Sequence, residues 1–313
     1  MDLTDSVLYE NTAVCAIIKD AGDDPDATHG VKVFATVSKT DGDSIEIDGG
    51  EGIGRVTKPG LKVQVGKAAI NPVPMEMIET AINEVCNQYA HHGGIKAVIS
   101  IPGGEEIAKK TMNERLGIIG GLSILGTTGI VEPMSERAII ETIKADIDVH
   151  VASGNRDLLV TPGNYGRDFA ATELGLDINE AIKCSNYVGD TLDYLSTKEI
   201  EKVLFIGHAG KLVKLAGGIM NTHSAMADCR MEIIAAHSAL AGADASLIGK
   251  IMECVSVQGA VELLDEIGIN ESVWDTIGKK IGFYLSGRIK GSYMIEYIIF
   301  TQENGILTRG VTQ

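Results

Sequence analysis

The residues best suited to chemistry gather at glycine turns. Gly207-His208-Ala209-Gly210-Lys211 follows the apolar run 203–206 and precedes a helical pattern. A glycine turn that opens a helix leaves backbone N–H groups without intrahelical partners, which makes it an anion site. It is not a Walker A loop. The first glycine of G-x-x-x-x-G-K would fall at Phe205, and Leu212 stands where a Ser or Thr would hold magnesium. Lys211 and Lys214 read as one helical face, suited either to carboxylates of a ligand or to solvent. His208 lies on the turn itself, where an imidazole titrating near neutrality can move a proton. His223, in Asn221-Thr222-His223-Ser224, reads as a proton-transfer or positioning residue, or else as part of a helix cap. Its Asp228 neighbour lies five residues on, which does not share a helical face neatly.

Two more turns have the same form. Pro102-Gly103-Gly104 closes a strand pattern at 97–100, with Glu105 and Glu106 placed to complement the positive end of a short helix. Pro162-Gly163-Asn164 closes a strand at 157–161. Between them Gly117, Gly120, Gly121, Gly126 and Gly129 are interleaved with Ile118, Ile119, Leu122, Ile124 and Leu125, and Gly126 leads into Thr127 and Thr128. Glycine is costly to order, so this density means close backbone approach. The approach is either within a buried strand pair or against a flat, nucleoside-like ligand. Lys109, Lys110 and Arg115 form one basic cluster beside these turns, and Arg55 with Lys58 another. The run Asp20, Asp23, Asp24, Asp26 with His29 matches no EF-hand spacing and reads as Asx-turns around Pro25.

The elements that position these groups divide in two. Strands at 13–18 and 31–37 flank the acidic loop, and 44–48 with 53–57 read as a glycine hairpin. A helix from Asn71-Pro72-Val73-Pro74 carries Ile78, Ala81, Ile82, Val85, Cys86 and Tyr89 on one face, with His91 and His92 in its last turn and Gly93-Gly94 ending it. From 135 a helix presents Ile139, Ile140, Ile143 and Ile147 inward. Strand, glycine turn and helix then repeat at 157–174 and 203–220, the pattern of a parallel sheet that binds ligands outside its carboxyl ends. If the strands share one sheet, the turns at 102–104, 162–164 and 207–210 rim one crevice. Helices at 222–241, 245–267 and 272–286 and a terminal hairpin at 293–308 complete the reading. The expected fold class is thus α/β and α+β. A strand-rich, antiparallel part at 1–130 is followed by an α/β part of strand–Gly-turn–helix units at 131–313, and the hairpin is free to pair with either.

Composition sets outer limits. The chain has 313 residues, 44% hydrophobic and 22% charged, the profile of a soluble globular protein. No apolar run reaches the roughly 18 residues of a membrane span, so no membrane partner is expected. Cys15, Cys86, Cys184, Cys229 and Cys254 are scattered and odd in number, which points to a reducing cytoplasm and away from disulfides or structural zinc. A net charge of −16 disfavours nucleic acid.

PGGEEIAKKTMNERLGIIGG with SILGTTGIVEPMS resembles the cobalt-precorrin-5B C(1)-methyltransferase family of anaerobic cobalamin biosynthesis. So do KDAGDDPDATHG at 19–30, GRVTKPGL at 54–61, VGKAAINPVP at 65–74 and IGHAGKLVKLAGGIMNTHSAMADCR at 206–230. The resemblance runs in order over nearly the whole chain. Family members usually begin with a further segment bearing Gly-Tyr-Thr-Thr-Gly, for which this sequence has no counterpart; it is a short form or lacks its first residues. The resemblance implies methyl transfer from S-adenosylmethionine to ring carbon 1 of cobalt-precorrin-5B, giving cobalt-precorrin-6A. The sulfonium is already activated, so no nucleophilic side chain or protein-bound metal is required, and cobalt arrives inside the substrate. On this basis Pro102, Gly103, Gly104, Gly126, Thr127, Thr128, Gly163 and Asn164 are the expected cofactor contacts. Lys109, Lys110, Arg115, Lys211 and Lys214 are the expected substrate contacts, and His208 and His223 the candidate catalytic groups. Neighbouring pathway enzymes are candidate partners. Two alternatives differ in class. A non-catalytic corrinoid carrier would not bind S-adenosylmethionine, and a nucleotide-dependent transferase would need magnesium ligands near Lys211.

Overall fold

The computed structural model describes residues 3–22, 26–126 and 136–312. The chain forms two compact units, Met1–Glu141 and Thr142–Gln313.

The first unit contains β1 (Leu3–Leu8), β2 (Thr12–Ile18), β3 (Lys32–Thr40), β4 (Ile45–Gly49), β5 (Arg55–Val56), α1 (Pro72–Gln88), β6 (Gly94–Ser100), α2 (Gly104–Ala108) and β7 (Ile118–Ile119). Its five-stranded sheet has the order β1-β2-β3-β6-β4, antiparallel except for the β4–β6 pair. The expected hairpin at 44–57 does not form. β4 instead runs parallel to β6, with Ile45 opposite Ile95 and Gly49 opposite Ile99, while β5 pairs with β7. The glycines lead the chain across the end of β6: Gly50 N–H donates to the Ile99 carbonyl and Ile101 N–H to that of Glu51, both at 2.8 Å. Gly52, at φ +73°, lies so close that any side chain would collide with the Ile101 carbonyl. Close approach, not reversal, selected these glycines. Ile53, Ile70, Ile99, Ile101 and Leu122 are buried together beneath this crossing.

Helix α1 forms where its Pro72 start predicts. Its buried stripe is narrower than expected: Ile78, Ile82 and Cys86 are half-buried, whereas Ala81, Val85 and Tyr89 are exposed. It ends at Gln88, with Ala90 at φ +51°, so His91 and His92 follow the helix and do not occupy its last turn. In the acidic loop, Asp20 accepts from Gly22 N–H and Asp26 from Thr28 N–H, the Asx-turns expected, and Lys19 pairs with Asp26. Asp23, Asp24 and Pro25 lie outside the described residues.

Helix α3 (Glu136–Ala152) follows. Its burial begins at Ile143 and continues through Asp146, Ile147, Val149 and His150; Ile140 is half-buried, and Ile139 is exposed instead of facing inward. The second unit then contains β8 (Asp157–Thr161), α4 (Asn164–Leu174), β9 (Ala181–Lys183), α5 (Val188–Leu195), β10 (Lys202–His208), α6 (Ala209–Leu212), α7 (Arg230–Leu240), α8 (Ala245–Met252), α9 (Val257–Ile267), α10 (Asn270–Ile289), β11 (Met294–Thr301) and β12 (Gly305–Thr312). Its sheet has the order β12-β11-β10-β8-β9, and all neighbours are parallel except the terminal hairpin β11–β12. The four parallel strands therefore end along one edge.

Three helical expectations needed revision here. The helix at 211–220 is a four-residue α6 followed by a 3-10 turn at 213–217, stopped by Gly218 at φ +75°. Residues 222–229 are not helical, because Asn221 bridges to Tyr187 and Cys229 takes φ +52° ahead of α7. The long helix at 245–267 is two helices, the second capped by Ser256 accepting from Gly259 N–H. Among the described residues no helix is long and apolar enough to cross a membrane.

Candidate functional site

Parallel strands end in unpaired loops, so side chains at their carboxyl ends converge. In the second unit β8 delivers Thr161-Pro162-Gly163-Asn164, β9 delivers Lys183-Cys184, and β10 delivers Gly207-His208. Lys183 Nζ donates to Asn164 Oδ1 at 2.9 Å, and Lys211 Nζ reaches to 3.5 Å from the Pro162 carbonyl. Burial lowers the Lys211 pKa, opposed by the Cys184 thiol beside it and reinforced by Lys183 and Lys214. Burial also pushes the Cys184 thiol up to about 12, against the pull of Lys211, so it stays a neutral thiol. Gly163 is extended, and no atom stands where a side chain would project.

His208 is held from several sides. Its Nδ1 accepts from Gly210 N–H at 3.1 Å, capping α6. Its ring meets Phe300 edge-on at 5.8 Å and Tyr165 at 5.8 Å, and Phe300 in turn stacks on Phe169 at 3.9 Å. The result is a file of four rings from the core out to Tyr165, which is 61% exposed. Burial lowers the His208 pKa, and Glu303 only partly restores it. The imidazole is therefore neutral near pH 7. With Nδ1 already accepting, its proton sits on Nε2, which makes the outer nitrogen a donor. This arrangement does not suit the proton acceptor that the sequence suggests at His208.

The other expected residues are scattered. Lys214 is 3% exposed, and its ammonium donates to the carbonyls of Thr222 at 3.1 Å and Ala227 at 2.8 Å, 3.9 Å from Asp228. It ties the 222–228 loop to the core and does not share an exposed face with Lys211. His223 is exposed, and both its backbone N–H and its Nδ1 are engaged in the local turn, with Asn221 and Ala225. The turns at 162–164 and 207–210 share a sheet, but Pro102-Gly103-Gly104 follows β6 in the first unit's sheet, so the three do not rim one sheet edge. In that unit Lys109 pairs with Glu106 at 2.6 Å, Lys110 is exposed, and the Arg115 carbonyl lies 3.5 Å from Lys58. Arg55 is held bidentate by Asp48. Gly117 and Gly121 are closed off by Lys58 and by Gly52, whereas Gly103 and Gly120 face open space and Gly126 faces Pro74. Thr127 and Thr128 lie outside the described residues. Lys183, Tyr165 and Phe300 escaped the sequence reading. Lys183 ends a strand of three residues, too short for a periodic signal.

With the geometry established, comparisons with known proteins define the lineage. The family model described as CbiD matches residues 1–133, and that described as CbiD, C-terminal domain, matches residues 221–311. A protein of Ruminiclostridium cellulolyticum named cobalt-precorrin-5B C(1)-methyltransferase is 54% identical over 290 residues, covering 93% of this chain and 75% of that protein. One of the same name from Alkaliphilus metalliredigens is 45% identical over 94% of this chain and 77% of its own length. A 1.9 Å crystal structure of the cobalamin biosynthesis protein (cbiD) from Archaeoglobus fulgidus is 26% identical, with a TM-score of 0.33 over 72% of this chain and 70% of that one. The extent of these sequence matches places the chain in the CbiD family, alongside the proteins named cobalt-precorrin-5B C(1)-methyltransferase.

Proposed function

We propose that this protein methylates ring carbon 1 of cobalt-precorrin-5B with S-adenosylmethionine, giving cobalt-precorrin-6A, and that the carboxyl edge of the second unit's sheet holds the methyl donor. The observation that carries the activity is the match to relatives of that name over 93–94% of this chain and 75–77% of theirs. The edge suits the donor in three respects. The open space at Gly163 admits a ligand against backbone, Lys183 and Lys211 offer cations to its carboxylate, and the exposed Tyr165 ring offers a face to adenine or a sulfonium. Lys211 is assigned here to the donor, because it lies on the same edge as Gly163 and Asn164.

Bound S-adenosylmethionine supplies an activated methyl group on a sulfonium. The chain's own work is then alignment. The ring file fixes the direction of the His208 imidazole, and Nε2–H donates to an oxygen of a bound ligand. Asn164, steadied by Lys183, fixes the entrance to α4. Such positioning, with water excluded, is sufficient for in-line transfer to a carbon nucleophile. Calorimetric titration with S-adenosylhomocysteine tests the site. Binding that weakens on Lys211→Gln or Tyr165→Ala supports it, and binding indifferent to both removes the edge from consideration.

A further inference from the structure

The first unit has a groove of about 410 Å³ that none of the assignments above uses. Its walls are apolar, formed by Ile47 of β4, by Val63 and Ile70, and by Pro72 and Met75 at the start of α1. Lys62 and Lys67 stand in its lining, both exposed, and neither forms an ion pair with a described residue. Asp48 is the acidic residue in the lining, and Arg55 grips it through two bonds of 2.9 Å, which holds its carboxyl below the usual range. Its charge is thereby neutralised, and the groove presents two unmatched cations beside an apolar wall, in a chain whose net charge is −16. That local reversal of sign is what an anionic ligand with an apolar body requires.

We propose that this groove receives one edge of the corrinoid, with the hydrocarbon of a pyrrole-derived ring against Ile47, Val63 and Met75 and its carboxylate arms on Lys62 and Lys67. The inference rests on the proposed function for the nature of the ligand, and on the groove alone for the place. The groove has room for a ring edge and its acid side chains but not for a whole macrocycle. The flat adenosyl ligand is the competing occupant. It carries one carboxylate and two cationic groups, a poorer match to two lysines.

The experiment uses the intact chain and two probes: cobyrinic acid, a cobalt corrinoid with free carboxylates, and cobinamide, in which those carboxylates are amidated. Binding is followed by the corrinoid absorbance at low salt. The double variant Lys62→Gln/Lys67→Gln should bind cobyrinic acid about tenfold more weakly than the parent and lose most of the salt dependence, with cobinamide and S-adenosylhomocysteine affinities unchanged. Both lysines are exposed, so unchanged circular dichroism is expected to accompany the loss. Cobyrinic acid affinity within twofold of the parent would overturn the groove and leave the proposed function standing. Loss of S-adenosylhomocysteine binding in its place would assign the groove to the other ligand and overturn the inference. A parent protein that binds neither corrinoid would overturn both the inference and the function on which it rests.

Discussion

Gly210 gives its backbone N–H to Nδ1 of His208 at 3.1 Å, and this one bond decides what the imidazole can do. A ring that accepts at Nδ1 and is neutral carries its proton on Nε2, so His208 offers a ligand a donor. Replacing it with Asn keeps a capping oxygen for Gly210 and removes the outer N–H. His208→Asn should therefore fold normally and lose about tenfold in single-turnover rate, the scale of one neutral hydrogen bond. His223→Asn, altering an exposed turn residue, should stay within about threefold, a small fraction of the 10²-fold or more that marks a lost proton acceptor. A loss of that larger size in His208→Asn, with ligand binding intact, would restore the proton-acceptor role.

The lowered pKa of His208 makes stability depend on pH. Its folded value lies below the ordinary 6.5 because burial disfavours the cation, so between those two values the unfolded chain binds more protons than the folded one. The contribution is fully present above pH 6.5 and is lost as pH falls toward the folded value. Urea midpoints should fall from pH 7.5 to pH 5.5 by more in the parent than in His208→Asn. Parallel curves would show that the ring does not titrate in this way.

Lys211 and Lys214, three residues apart, should separate cleanly. Lys214→Met leaves the Thr222 and Ala227 carbonyls without their ammonium donor and should cost about 1–3 kcal/mol of stability, with S-adenosylhomocysteine affinity unchanged in the folded fraction. Lys211→Gln should leave the melting temperature nearly unchanged and weaken that ligand about tenfold. Equal effects of the two would mean that both lysines serve only the fold.

The glycines of the first unit give a test of close packing. A side chain at Gly52 meets the Ile101 carbonyl, whereas one at Gly120 meets nothing, although both have positive φ. Gly120→Ala should cost about 1 kcal/mol from backbone conformation alone. Gly52→Ala should cost clearly more in the urea midpoint, since two backbones must part. Similar losses would remove the close-approach explanation.

These contrasts also show what the sequence could convey. β8 is legible to the residue and β11 starts within one residue of the expected hairpin, because apolar runs bounded by glycine or proline have few other readings, although β12 continues four residues past the expected end at 308. Pro162 and Gly163 lie between β8 and α4 as that pattern implies, whereas 207–210 holds no separate turn: Gly207 and His208 end β10, and Ala209 and Gly210 open α6 directly. Other features depended on contacts that residue spacing does not encode. Gly50 and Gly52 look like a turn until the end of β6 and the Ile101 that follows it, some fifty residues away, are seen to need the space. Lys214 looks like a surface cation until the loop carrying Thr222 and Ala227 folds over it. The bond from Gly210 N–H to His208 Nδ1 spans only two residues, and spacing does not encode it either.

Purified protein incubated with cobalt-precorrin-5B and S-adenosylmethionine labelled with ¹³C in its methyl group should yield cobalt-precorrin-6A with the label on ring carbon 1, and one S-adenosylhomocysteine for each methyl transferred. Retention of the label in S-adenosylmethionine, under conditions in which the corrinoid is bound by the protein, would rule out methyl transfer and leave a corrinoid carrier in its place.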